Sequence, residues 1–135
     1  MKVYHGTDID SADSIMTNGV DVTLGGGELG RGFYVGENPA LVAARAKGKN
    51  KEKFAVIEFK VDVSQFIRLD MKIVRRRELL VKQWEKLLKN NTTRTKLYDV
   101  DVVCSPYATF EFSNQYKFES ETAETVINNA TKTQK

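Results

Sequence analysis

His5 is the only histidine among 135 residues, and it stands in Val3-Tyr4-His5-Gly6-Thr7, where a short apolar run breaks into a glycine turn. An imidazole next to a bare backbone amide offers a ligand one side-chain donor or acceptor and close approach to the main chain. A lone histidine of this kind is also an ordinary capped loop residue, so the assignment depends on what joins it. Two further segments do. In Gly30-Arg31-Gly32-Phe33-Tyr34-Val35-Gly36 the glycines allow a tight turn into a short buried strand carrying Tyr34, and Asn38-Pro39 opens a helix directly behind it. In Asn114-Gln115-Tyr116-Lys117-Phe118-Glu119-Ser120 the aromatic residues alternate with polar ones as a strand face does, and Gln115 begins that strand.

In this order, with Asp101-Val102-Val103-Cys104-Ser105-Pro106-Tyr107-Ala108 and a closing Gln-Tyr-x-Phe-x-Ser-x-x-Ala pattern, the motifs resemble the ADP-ribosyltransferase superfamily. They are similar to its His-Tyr-Glu group, which includes the poly-ADP-ribose polymerases, and more closely to the small bacterial DUF3990 family. The resemblance spans nearly the whole chain, with least signal between about Lys47 and Asp99. It implies an α+β fold in which two packed mixed or antiparallel sheets form an NAD cleft with flanking helices.

The same resemblance implies roles residue by residue, with NAD as co-substrate. His5 would hydrogen-bond the adenosine ribose, and the N–H and C=O of Gly6 would pair with the nicotinamide carboxamide. Thr7 and Gly32 would line the pocket, and Tyr34 would stack on the nicotinamide ring to position the leaving group. Arg45 falls where relatives carry an aromatic that completes the nicotinamide sandwich; its guanidinium plane could stack there, while by residue type alone it is a solvated helix residue. Gln115 falls at the place of the catalytic glutamate, so His5, Tyr34 and Gln115 form the candidate catalytic set.

Breaking the nicotinamide–ribose bond builds oxocarbenium character on the sugar, which a carboxylate favours electrostatically. Glutamine can orient the ribose by hydrogen bonding but contributes no charge. Glu119, four residues on, is about 13 Å of extended chain away and is not expected to substitute. The implied activity is mono-ADP-ribosyl transfer to a macromolecule with release of nicotinamide, as a toxin held in check by a cognate antitoxin protein. A non-catalytic NAD- or ADP-ribose-binding module is the alternative, and a nucleic-acid-modifying protein of another class is a third reading.

Stepping outward from these residues, the chain has the length of one domain, here 1–130 with a polar tail at 131–135. Cys104 is the only cysteine, which excludes an internal disulfide, and no His/Cys cluster offers a metal site. With neither a basic-plus-apolar leader nor a long apolar run, the expectation is a cytoplasmic protein without membrane contact. The net charge is +3, with basic clusters at Lys47, Lys49, Lys51 and Lys53 and at Arg75, Arg76 and Arg77. No aromatic interleaving accompanies them, so a protein is preferred to a nucleic acid as acceptor.

Periodicity predicts strands at Lys2 to His5, Phe54 to Val61, Tyr98 to Cys104 and Gln115 to Glu119, and a strand or turn at Phe66 to Leu69. Helices are expected at Ser11 to Asn18, at Ala40 to Lys47, and from Ser120 to about Asn129. From Val74 to Asn90 the pattern Leu80, Trp84, Leu87, Leu88 predicts an amphipathic helix whose Trp84 packs into the core, with a partner-binding stripe as the alternative. Val20 to Gly30 reads as a flexible pocket rim, because Gly25-Gly26-Gly27 lacks the Lys-Ser/Thr of a phosphate loop. Asn91 to Lys96 reads as a polar loop.

Overall fold

The structure, a computed structural model, describes residues 1–89, 98–109 and 112–135. Its elements are β1 (Lys2–Asp8), α1 (Ile9–Asn18), β2 (Phe33–Gly36), α2 (Pro39–Asn50), β3 (Phe54–Lys60), α3 (Val63–Phe66), β4 (Met71–Ile73), α4 (Arg76–Lys89), β5 (Val102–Pro106), β6 (Asn114–Phe118), α5 (Glu121–Asn128) and β7 (Thr131–Gln134). The fold is α+β. The loop expected at 91–96 lies outside the described residues.

Local chemistry sets the helix starts. Asp8, Asn38, Asp62 and Ser120 each cap a helix by accepting hydrogen bonds from first-turn N–H groups, and Pro39 follows Asn38 where a missing N–H costs nothing. The Gly19 N–H closes α1 onto the Ile15 carbonyl. Strand β3 is the most apolar run and is buried on both faces, with Ile57 and Phe59 fully inaccessible.

The strands lie in the order β4-β5-β6-β2-β1-β3-β7, all antiparallel except β4 with β5. This corrects the expected pair of packed sheets: among the described residues there is one seven-stranded mixed sheet. Its halves, β4-β5-β6-β2 and β1-β3-β7, meet through a single pair, Tyr4 with Gly36. That one pairing makes the two half-sheets one.

Each face carries its own core. On one, Val3, Phe33, Val35, Ile57, Phe59 and Phe118 pack with Ala12 of α1 and Val126 and Ile127 of α5. On the other, Leu29, Val74, Leu79, Val103 and Ala108 form a smaller cluster against which Tyr34 rests. Alternation along β2 explains the split, since Phe33 and Val35 point one way and Tyr34 the other.

Three more expectations are corrected. Residues 131–135 are not a tail outside the domain, because Thr131–Gln134 pair with β3 and the Lys135 N–H reaches the Val56 carbonyl. The exposed main-chain edge of β3 outweighs the polarity of these side chains. Of the strand-or-turn alternatives at 66–69 only the strand is corrected: Phe66 ends short helix α3, 67–69 form a turn, and the strand follows at Met71–Ile73. Trp84 is 62 % exposed while Leu79 is fully buried. Helix α4 is anchored through Leu79, and residues 80 and 84 lie about 100° or more around the helix from that contact. The side chains of Leu87 and Leu88 lie outside the described set.

Candidate functional site

Beyond the Tyr4–Gly36 pair the register joins no further residue of β1 to β2, and a cleft of about 830 Å³ opens there. This is within the usual range for a small-molecule site. His5, Gly6, Thr7, Gly32, Tyr34, Arg45 and Gln115 all line it, as do Glu28, Lys49 and Tyr107. Residues separated by up to 110 positions in the chain are thereby brought to one space.

The orientation of Gly6 follows from strand pairing. Gly6 lies opposite Val56, whose carbonyl accepts from the N–H of Lys135, the residue just after β7. In an antiparallel ladder both main-chain groups of a residue face the same side, so Val56 turns away from β1 and Gly6 turns toward β2. Tyr4, two residues earlier, shares that parity and uses it to pair with Gly36. Gly6 therefore presents its N–H and C=O on the side where β1 leaves β2. A β-carbon on Gly6 would stand 2.8 Å from the Ala46 methyl and 3.0 Å from the Val42 carbonyl oxygen, so the absent side chain also lets α2 lie directly on β1.

His5 Nδ1 is 2.5 Å from the Tyr34 carbonyl oxygen. A carbonyl only accepts, so Nδ1 carries the proton and Nε2 is left as an acceptor. The ring stacks on Phe33 with centroids 4.2 Å apart. Burial depresses the imidazole from 6.5 to about 4, opposed by the bond to Tyr34 and reinforced by the Lys49 ammonium. The ring is neutral at pH 7. Because the folded value is lowered, the unfolded chain takes up the proton first as pH falls. Stability is expected to be full above pH 6.5 and to drop by about 1.4 kcal/mol per pH unit toward pH 4. Urea titrations between pH 6.5 and 5 should show this slope in the wild type and a flatter one in His5→Asn; equal slopes would remove His5 as the cause.

Tyr34 holds the loop before it as well as lining the cleft. Its hydroxyl donates to the Gly30 carbonyl at 2.5 Å and accepts from the Leu29 N–H at 2.9 Å. Burial keeps the phenol far above its ordinary value, hence protonated. The ring also lies over Gly27, where a β-carbon would come within 2.9 Å of it. The loop expected to be a flexible rim is pinned at both ends. Asn128 exchanges two hydrogen bonds with Val20, and Glu124 accepts from the Val22 N–H. At the far end Leu29 is held through both main-chain groups, its carbonyl accepting from Lys117 Nζ at 2.7 Å.

Gln115 is buried, and its Nε2 donates to Glu28 Oε2 at 2.8 Å. The same carboxylate oxygen accepts from the Ala108 N–H at 3.2 Å, and its partner oxygen lies 3.8 Å from Arg45 Nη2. Arg45 is half exposed but not merely solvated: its guanidinium carbon sits 4.7 Å from the Tyr107 ring centroid. An arginine–tyrosine stack thus occupies that wall. Glu119 does not line the cleft; it pairs with Lys117 at 2.6 Å, fully buried.

Among the lining residues that sequence reasoning did not assign to the site are Glu28, Lys49 and Tyr107. Tyr107 lies within the Asp101–Ala108 motif, which carries no assigned role. Glu28 is the acid that follows Gly25-Gly26-Gly27, with one residue between it and the Gly-x-Gly turn, a faint signal that acquires meaning only once the loop folds back over β6.

No protein-family model and no curated protein matches the chain. Among the described residues, no group of three or more His, Cys, Asp or Glu side chains is arranged to hold a metal ion, and no helix is long and apolar enough to cross a membrane.

Proposed function

We propose that this protein is an NAD-dependent mono-ADP-ribosyltransferase. The observation carrying the proposal is the convergence of His5, Gly6, Tyr34 and Gln115, from three strands, on one cleft into which the main chain of Gly6 opens. On this reading the Gly6 amide and carbonyl pair with the nicotinamide carboxamide. His5 Nε2 accepts from a ribose hydroxyl, and the Tyr34 ring flanks the nicotinamide. The C1′–nitrogen bond breaks with its electron pair leaving on nicotinamide, which becomes neutral, and C1′ takes up positive charge shared with the ring oxygen. A lone pair of the macromolecular acceptor, a protein in this proposal, closes on C1′, and the displaced proton passes to water.

NAD should raise the stability of the folded protein by about 2.7 kcal/mol at a hundredfold excess over its Kd. His5→Ala should abolish the shift. Tyr34→Ala is a poorer probe, because the ring also secures the turn at Leu29 and Gly30. Incubation with NAD labelled in the adenylate moiety and a cell lysate should place label on protein. Label on nucleic acid would change the acceptor class, and NAD binding without nicotinamide release would make the protein a binding module. The proposal extends to a toxin role with an antitoxin laid over the cleft; induced expression in a bacterium should arrest growth and His5→Ala should relieve it.

A further inference from the structure

The cleft holds a carboxylate beside the neutral Gln115. We infer that Glu28, carried on the loop before β2, supplies the negative charge that stabilises the cationic sugar, with Gln115 as the hydrogen-bonded intermediary that aims it. The inference rests on the reading of the cleft as an NAD site.

Three observations converge on Glu28. Its carboxylate is one hydrogen bond, 2.8 Å, from the Gln115 nitrogen, so charge enters the site next to a side chain that has none. It is anchored on the protein side by the Ala108 N–H, and the residue after it is held through both main-chain groups by Tyr34 and Lys117. Its side chain is 17 % exposed, open to the cleft yet largely withdrawn from water, where a fixed charge acts most strongly on a developing one. The other acids lining the space are engaged elsewhere: Asp8 caps α1, and Asp21 accepts from Thr23 in an exposed turn.

The chemistry requires no bond to Glu28. As the C1′–nitrogen bond breaks and its electron pair departs with nicotinamide, the charge on C1′ and the ring oxygen is met by the carboxylate through space. Arg45, 3.8 Å from the other carboxylate oxygen, fixes the orientation of the group and tempers its field.

The test compares wild type, Glu28→Gln and Glu28→Asp in nicotinamide release, in NAD-induced thermal stabilisation, and in the affinity ratio for two ligands. These are a cationic pyrrolidine analogue of the ribosyl group and its neutral tetrahydrofuran counterpart. Glu28→Gln keeps an acceptor for Ala108 and Gln115 but loses the charge. Its kcat should fall about a hundredfold, the scale of one preorganised electrostatic contact, with NAD stabilisation retained and the preference for the cationic ligand lost. Glu28→Asp keeps the charge on a shorter arm and should retain the cation preference. Wild-type turnover in Glu28→Gln, or loss of the preference in Glu28→Asp as complete as in Glu28→Gln, would assign Glu28 a positioning role and overturn the inference. If Glu28→Gln fails to fold, the Glu28→Asp ratio decides alone. A wild type that neither binds nor cleaves NAD overturns the transferase reading itself, a result distinguishable from these.

Discussion

Lys117→Met is expected to destabilise the fold by about 3–5 kcal/mol, the usual consequence of stranding one member of a buried ion pair. Lys117 is fully inaccessible near the end of β6, its ammonium 2.6 Å from Glu119 Oε2 and 2.7 Å from the Leu29 carbonyl oxygen. The Tyr98 ring centroid lies 5.6 Å away. Removing the ammonium takes the cation at 2.6 Å away from the buried Glu119 carboxylate and removes the donor to the Leu29 carbonyl. Adding Glu119→Gln should recover part of the loss, since the amide oxygen can still accept from the Asp99 N–H that Glu119 now satisfies. Urea melts with an unchanged m-value would measure both variants. A loss below about 1 kcal/mol, within the range of an exposed pair, would mean that the pair contributes no more than a surface contact.

Gln115→Ala should lower transfer by about two orders of magnitude, comparable to deleting one preorganised polar contact at a developing charge. Gln115 and Glu28 line the cleft side by side, so truncation removes the group that holds the carboxylate in place and, on the proposed reading, a ribose partner as well. Gln115→Glu alone should not raise activity at neutral pH. It would set two carboxylates in contact, and one of them would have to keep a proton. Combined with Glu28→Gln, the same substitution exchanges the charge and the amide, and activity should rise above that of either single variant. Nicotinamide release measured across the four proteins checks this. An alanine variant as active as wild type would remove Gln115 from the mechanism.

Much of the scaffold was readable because periodicity and caps act locally. Phe54 to Val61 announced β3 by its apolar density, Asn38-Pro39 announced α2, and Ser120 announced α5. Three features escaped because they depend on partners distant in sequence. β7 exists because the open edge of β3 needed hydrogen bonds, which no pattern in Thr131 to Gln134 reveals. Trp84 faces outward because Leu79, one residue from the apolar stripe, found the second core. The two expected sheets are one because of a pairing a single residue long. For the site, the resemblance to ADP-ribosyltransferases points to His5, Gly6, Thr7, Gly32, Tyr34, Arg45 and Gln115, and all of them line one cleft. Glu28 is not among them, since its relevance arises only when a glycine-rich loop returns to touch β6 some 87 residues away.

The outermost strands of the sheet, β4 and β7, are three and four residues long and each carries a lysine, Lys72 and Lys132. A copy of the chain docking strand to strand would find few main-chain groups to pair with and would bring like charges together. The long apolar strand β3, a far better template for such stacking, is screened on one side by β1 and on the other by β7. Its position between them guards against self-association, so the chain can carry an aggregation-prone strand beside its cleft without offering it to other copies of itself.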